Sequence, residues 1–575
     1  MLDKAIAIEL GRRAASHLAD GRLRVDYYRI RRSLSYPLPV RSLHVASLPL
    51  RGIAGADYPW SIWLAWALEE RLHALGQGEA AETRQAAICD LQALAAWPTF
   101  RQYDKPDLCL GHCLRTLATA WNSWSWLDTD TRQAIAASFA RAIDDVLPLS
   151  DSLHGRLLSV ADVFAQPRPH ELLHNIPIIG TVGAALAARA IDHPARDVLD
   201  RRLAVLFGAL LDGRALGIHE AAAYDGYVLD FMADWLAVLP EAQRTPLLQH
   251  PRLPDLLDQS CLLAAPGAAA ALCEIGDVEP ERMPFHLSAQ IKLQALCPDE
   301  RRAWWLQRLP LPLLRSEALA ALRRLPESAG CGPGPGAFDA HYAAVLRSGD
   351  EAGDVAVAMA ASSSPMGHIH HDNGSVTLAS GGRWLIVDPG YQQYLSTRER
   401  DFTIGPRAHN APLIDGQEQT AKLGQRPRLD DLGGGLLRLR HDLTACYAPA
   451  AGARSAVRSV WLAGRSAVVV HDRVLRERRG TLAWHWHGHP EAAWWIEDGV
   501  ATLSCPGQRP LRISSPQVRL HEGMLDRLPG SRGQLTLSVE LTGAEEAWWL
   551  FAFDDIGLDC IGSEVRLAGR QLLPG

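Results

Sequence analysis

The hydrophobic period of this chain changes once, near residue 330, and that change limits the fold more than any other feature. Before it, alanine, leucine and arginine recur at helical spacing, as in SIWLAWALEERLHALG, TRQAIAASFARAIDDVL and IPIIGTVGAALAARAID, with Pro and Gly between the runs. After it, SVTLAS, RWLIVD, RSAVVVHDRVL, TLAWHWHGH, GVATLSC, PLRISS and QLTLSVEL follow a period near two and are separated by turn residues. The reading is an α+β multidomain chain. An all-helical half occupies 1–330, its helices paired through short connections. A Gly/Pro-rich crossing, seen in ESAGCGPGPGAFDAH, occupies 331–345, and antiparallel sheets stacked as a β-sandwich occupy 346–575. A strand-like piece near the start, LRVDYYRI, has no place in that scheme.

Composition removes several function classes. The chain has 575 residues, 47% hydrophobic and 21% charged, enough for a large core. Its net charge of −7 provides no basic stripe, so nucleic acid is not an expected partner. The start has no apolar run before a small-residue cleavage site, and no window reads as a membrane span. The expectation is no membrane and a cytoplasmic location, or a periplasmic one if a leader has been removed. Ten cysteines fall at irregular spacing, and Cys109 and Cys113 in CLGHC lack a second pair at zinc-site spacing, so they read as packed free thiols.

Chemistry concentrates in GHIHHDNGSVTLASGGRWLIVDPG, residues 367–390. Gly381-Gly382 is a two-residue turn signal between two strands. His368 and His370, two apart, project to one side of an extended chain, and Asp388 lies on the returning strand. Simple alternation from the turn pairs Ser375 with Asp388 and so puts His371, not His370, on the face of Asp388. Asn373-Gly374 admits a bulge that would reverse this, so spacing leaves the choice open. RAHNAPLIDGQEQ, 407–419, offers His409 as a third group, and two imidazoles with a carboxylate suit Zn²⁺. The competing reading is a set of surface or hydrogen-bonding side chains.

HIHHDNGSV, LIVDPGYQQY and AHNAPLIDGQEQ, in this order and spacing, resemble the heparinase II/III-like polysaccharide lyases. The resemblance implies an N-terminal incomplete (α/α) toroid followed by a C-terminal antiparallel β-sandwich. It also implies cleavage of 4-linked uronic-acid poly- or oligosaccharides by β-elimination, with oligomerisation left open. His368 would be the catalytic histidine. His370, Asp388 and His409 would hold a mainly structural zinc, with Tyr391 and Tyr394 flanking the cleft. LLHNIPIIGTVGAALAARA resembles the helix whose asparagine faces the substrate carboxylate; here that is Asn175, with His174 before it where the family has a histidine after it. HEAAAYDGYVLDFMADWL resembles the segment with the catalytic tyrosine, assigned to Tyr227 with Tyr224 as the alternate. Trp124 of WNSWSW and Arg398 read as sugar-stacking and acid-binding groups, against core packing and surface ion pairing. Two other functions compete: a non-catalytic glycan-binding or exopolysaccharide-biosynthesis-associated protein of this fold, and a metal-dependent glycan hydrolase.

Overall fold

The computed structural model describes all residues except 1, 21, 28–29, 36–56, 102–103, 279–282, 327–329, 390–397, 421–424, 448, 532, 562–563 and 573–575. Among the described residues, fifteen α-helices precede Gly336. The long ones include Asp57–Gly76, Leu108–Ser123, Asn175–Ala190, Arg196–Ala215, Ala221–Val238 and Met283–Leu296. Their apolar faces meet in one core that takes in Leu114, Leu117, Val182, Phe207 and Trp235. Segment 169–190 is long and apolar enough to cross a membrane by composition, against the expectation that no window is. Its apolar window is 78% buried, so here apolarity on all sides marks a helix at the centre of the helical half.

Two glycines set how closely that helix approaches its neighbour. A Cβ on Gly183 would lie 2.7 Å from the Cα of Gly111, and one on Gly111 would lie 2.5 Å from Ile179 Cγ2. The backbones of Leu108–Ser123 and Asn175–Ala190 are therefore in direct contact. Gly183→Val should overpack this seam and destabilise the fold by about 1–3 kcal/mol, read as a lower thermal midpoint.

The crossing between halves is shorter than composition suggests. Gly336–Asp339 already pairs with Ala343–Arg347, so the sheet begins inside the segment read as linker. Pro and Gly are confined to its first residues, and FDAHYAAV behind them is strand and turn. The described residues of LRVDYYRI, 23–27 and 30, belong to the paired strands Arg22–Tyr27 and Ile30–Ser35. Another hairpin, Ala264–Ala265 with Ala268–Leu272, was not expected from an alanine run. Its turn at Pro266-Gly267, with Gly267 at φ +84°, and burial of Ala265 against the sheet half override the helical preference of alanine.

The strands Gly336–Asp339, Ala343–Arg347, Val355–Ala360, Val376–Ser380 and Arg383–Ile386 form a five-stranded antiparallel meander. Both of its faces are covered. Ala344, Leu346, Val355, Val357 and Met359 face a core shared with Val460, Val470, Trp484 and Trp486 from an eight-stranded and a four-stranded sheet. Ala343, Val345, Ala356, Ala358 and Ala360 face Ala222, Leu262 and Ile275 of the helical half. This sheet is the wall between the halves. Backbone bonds cross it, from Asp277 N to His368 O (2.9 Å) and from Gly382 N to Pro266 O (2.8 Å). The buried Arg347 guanidinium donates to the carbonyls of Leu262 (2.9 Å) and Ala264 (2.7 Å).

Candidate functional site

Val376–Ser380 and Arg383–Ile386 turn through Gly381 (φ +65°) and Gly382 (φ +77°), the positive pair a two-residue hairpin requires. Ser380 faces Arg383, as the turn signal implies, but Leu378 faces Ile386 while Ala379 faces Trp384, so Leu385 is an extra residue. Gly374, at φ +83°, bends the chain again, and a Cβ there would lie 2.7 Å from Leu443 Cδ1. These breaks defeat simple alternation. His371 is exposed, while one ligand atom each from His370, Asp388 and His409 lie within 4.8 Å of one another, all three residues buried.

His409 Nδ1 is 2.8 Å from Asp388 Oδ2. An ionised carboxylate only accepts, so Nδ1 donates; the buried Nε2 of His409 has no hydrogen-bond partner among the described residues. Asp372 is buried nearby, its Oδ2 likewise without one. Burial pushes the Asp372 carboxyl up, opposed by the imidazoles of His409 and His370. The loops here are tied from below by the fully buried Arg458. It donates to Gly374 O (2.6 Å) and Asn410 O (2.5 Å) and pairs with Asp472 at 2.7 Å through Nε and Nη2. Asn410 extends the tie by donating to Val387 O (2.8 Å) and accepting from His487 N (2.9 Å).

A second cluster draws on both halves. His368 Nδ1 lies 2.9 Å from Asp277 Oδ2, and His370 Nε2 lies 2.8 Å from the other oxygen of that carboxylate. Burial would raise the Asp277 carboxyl, but the two imidazoles hold it below the usual range. Burial disfavours a charged His370, yet Asp277 wins and raises its pKa. On the opposite side of His368, Nε2 is 3.5 Å from Asn175 Nδ2 and 3.6 Å from Glu220 Oε1. Tyr224 stacks on the same imidazole, ring centroids 3.6 Å apart and planes 11° apart.

Local structure aims these groups. His174 caps the Asn175–Ala190 helix by accepting from Ile176 N (3.4 Å), so Asn175 sits at its first turn. Glu220 accepts from the backbone N of Asn175 (3.0 Å) and from its amide (3.0 Å), satisfying a helix N-terminal donor, and lies 3.4 Å from His174 Nε2. The next residue, Ala221, holds φ +63° while buried, a conformation that costs a non-glycine residue about 1–3 kcal/mol. Asp225, paired with Arg214, accepts from Glu220 N (3.0 Å) and steadies this strained entry to the Ala221–Val238 helix.

The other expected residues lie elsewhere or outside the description. Tyr227, three residues beyond Tyr224, faces the helical core. It is fully buried, its hydroxyl hydrogen-bonded to His112 Nε2 and accepting from Trp66 Nε1 at 3.1 Å. Burial pushes the Tyr227 phenol far up and the His112 imidazole down to about 4, so this pair is neutral packing polarity. The helix turns between the two, so the tyrosine beside His368 is Tyr224, the alternate, and not Tyr227. Trp124 is buried, stacks on Trp126 at 5.2 Å, and lines a cavity of about 310 Å³ with Leu186, Asp234 and Lys292. Leu186 is eleven residues past Asn175, about 16 Å along that helix, so Trp124 belongs to the far end of the helical half. Arg398 is exposed at the start of the Arg398–Thr403 helix. Tyr391 and Tyr394 lie outside the described residues.

Asp277, Glu220 and Arg458 carry much of the geometry and were not singled out from sequence. Each is an ordinary charged residue in its own segment and becomes informative only through contacts far along the chain. Asp372 is different: it stands inside HIHHDNGSV, two residues after His370, and could have been read there. A cavity of about 320 Å³ opens beside Asp388, with Glu274 and Val278 on the helical side and Trp384, His489 and Gln534 on the sheet side.

Residues 333–570 match the family model described as heparinase II/III-like, C-terminal. Over these residues the chain is similar to the C-terminal domain of that family. Solved structures share the two-part architecture. The heparan sulfate lyase HepC from Pedobacter heparinus is 12% identical, with 98% of this chain and 88% of that one covered and a TM-score of 0.51. The heparinase III-BT4657 gene product is 11% identical, covers 98% and 89%, and has a TM-score of 0.57. A heparinase III is 13% identical over 82% and 84%, with a TM-score of 0.51. At these identities the likeness shows the fold, a helical toroid followed by a β-sandwich. Among curated proteins, no sequence matches.

Proposed function

We propose that this heparinase II/III-like chain is a lyase that cleaves 4-linked uronate glycans by β-elimination, at a centre formed by His368, Tyr224 and Asn175. The observation that carries the reading is the meeting of two helical-half residues on one sheet-half imidazole, Asn175 at its Nε2 edge and Tyr224 stacked on its face. Elimination removes the proton at C5 of the sugar and expels the glycosidic oxygen from C4, building enolate-like charge on the uronate carboxyl. Asn175 supplies amide donors at that charge without surrendering a proton. His368, with Nδ1 held by Asp277, presents Nε2 as the base, and Tyr224 donates to the leaving oxygen.

Glu220 adds a condition. It accepts from Asn175 at the place a sugar carboxylate would use, and two neighbouring carboxylates resist joint ionisation. A bound uronate carboxyl would therefore share the Asn175 amide with Glu220.

His370, Asp388 and His409 fit Zn²⁺: two imidazoles and a carboxylate converge, and a buried ring nitrogen of His409 faces no hydrogen-bond partner among the described residues. A bound ion would cross-link the three segments that carry them. The histidine loop, from which His368 also projects, is in that way held to the returning strand.

Incubation with a panel of acidic glycans tests the proposal. The lyase reading predicts the ultraviolet absorbance of a C4–C5 unsaturated uronate at new chain ends. Saturated ends with turnover lost on chelation would make the protein a metal-dependent hydrolase, and binding without turnover would leave a glycan-binding role.

A further inference from the structure

We propose that Asp277 is a positioning residue that sets the tautomers of His368 and His370 together, so that a helical-half carboxylate governs both the base and the ion site of the sheet half. Its two oxygens are divided between the rings, Oδ2 to His368 Nδ1 at 2.9 Å and Oδ1 to His370 Nε2 at 2.8 Å. A carboxylate accepts and cannot donate, so both ring nitrogens facing it carry hydrogen. The proton on Nδ1 leaves His368 Nε2 with its lone pair toward Asn175. The proton on Nε2 leaves His370 Nδ1 as the nitrogen able to bind a cation. Metal-ligating histidines commonly have their second nitrogen fixed in this way.

The segment carrying Asp277 is clamped where it must be. Its backbone N donates to His368 O at 2.9 Å. The preceding Gly276, at φ +76°, lies so close that a Cβ would be 2.6 Å from the same carbonyl. Asp277 is buried, and the contact joins two segments more than ninety residues apart.

Asp277→Asn keeps the shape and removes the symmetry, because the amide offers one acceptor and one donor. Asn175 already points an amide hydrogen at His368 Nε2 and so pins that ring. His368 then takes the amide oxygen, and His370 meets the NH₂ group and must turn its bare nitrogen toward it. The proton moves to His370 Nδ1, which blocks cation binding.

Side-chain ¹⁵N spectra of the full chain, recorded with both rings neutral, test this together with competitive Zn²⁺ titration. The wild type should show His368 protonated on Nδ1 and His370 on Nε2. In Asp277→Asn, His370 should switch to Nδ1 while His368 keeps its form, and Zn²⁺ affinity should fall by about 10–100-fold. The opposite tautomer of either ring in the wild type, or an unchanged His370 tautomer in the variant, would overturn the inference. Neither readout uses a glycan, so the inference can fail while the lyase reading stands, and the reverse. If the variant does not fold, the wild-type spectrum alone decides.

Discussion

Tyr224→Phe should lose roughly 10²–10⁴-fold in turnover of a uronate glycan while the protein stays folded, the usual contribution of one positioned proton-transfer group. The phenyl ring keeps the stack on His368, at 3.6 Å between centroids, and only the hydroxyl is lost. Tyr227→Phe makes the matching control. It removes a hydroxyl that serves His112 and Trp66 inside the helical core, so turnover should stay near the wild-type value while stability falls modestly. If Tyr227→Phe were the inactive variant and Tyr224→Phe the active one, the assignment would be reversed. The kinetic comparison separates the two because the residues share one helix and differ in the face they present.

Arg458→Met should be the most destabilising single change outside the apolar core. Arg458 and Asp472 are both buried, and the arginine also serves the carbonyls of Gly374 and Asn410, which adjoin the histidine loop and His409. Removing the cation leaves Asp472, among the described residues, with the indole donor of Trp484 (2.8 Å) as its remaining side-chain partner, and strands two carbonyls. Breaking a buried pair from one side costs about 3–5 kcal/mol. A denaturant midpoint measures the loss. The double change Arg458→Met with Asp472→Leu should recover part of it, since replacing both partners removes the uncompensated charge. A double variant as unstable as the single one would show that the carbonyl contacts, not the ion pair, carry the effect.

Much of this architecture is readable in the chain because it rests on local patterns. The shift from helical to alternating periodicity marks the two halves, and nearly every strand written from alternation lies within a residue or two of its observed bounds. The Gly381-Gly382 hairpin follows from turn chemistry alone. Parity fails at His370 because Leu385 is bulged and Gly374 bends the chain, and neither event has a clear local signal. Which of Tyr224 and Tyr227 lies beside His368 is not legible for a related reason: both suit a buried helix face, and only the packing of Trp66 and His112 decides which points inward. Asp277 could not be read at all, since nothing in EIGDVEP distinguishes an aspartate that spans two imidazoles from one at a surface turn.

The most direct measurement is a crystal structure of Tyr224→Phe with an acidic oligosaccharide bound. The account predicts a uronate carboxyl within hydrogen-bond distance of Asn175 Nδ2, with C5 of that sugar facing His368 Nε2. An oligosaccharide seated at the far cavity beside Trp124, with nothing at Asn175 and His368, would contradict it.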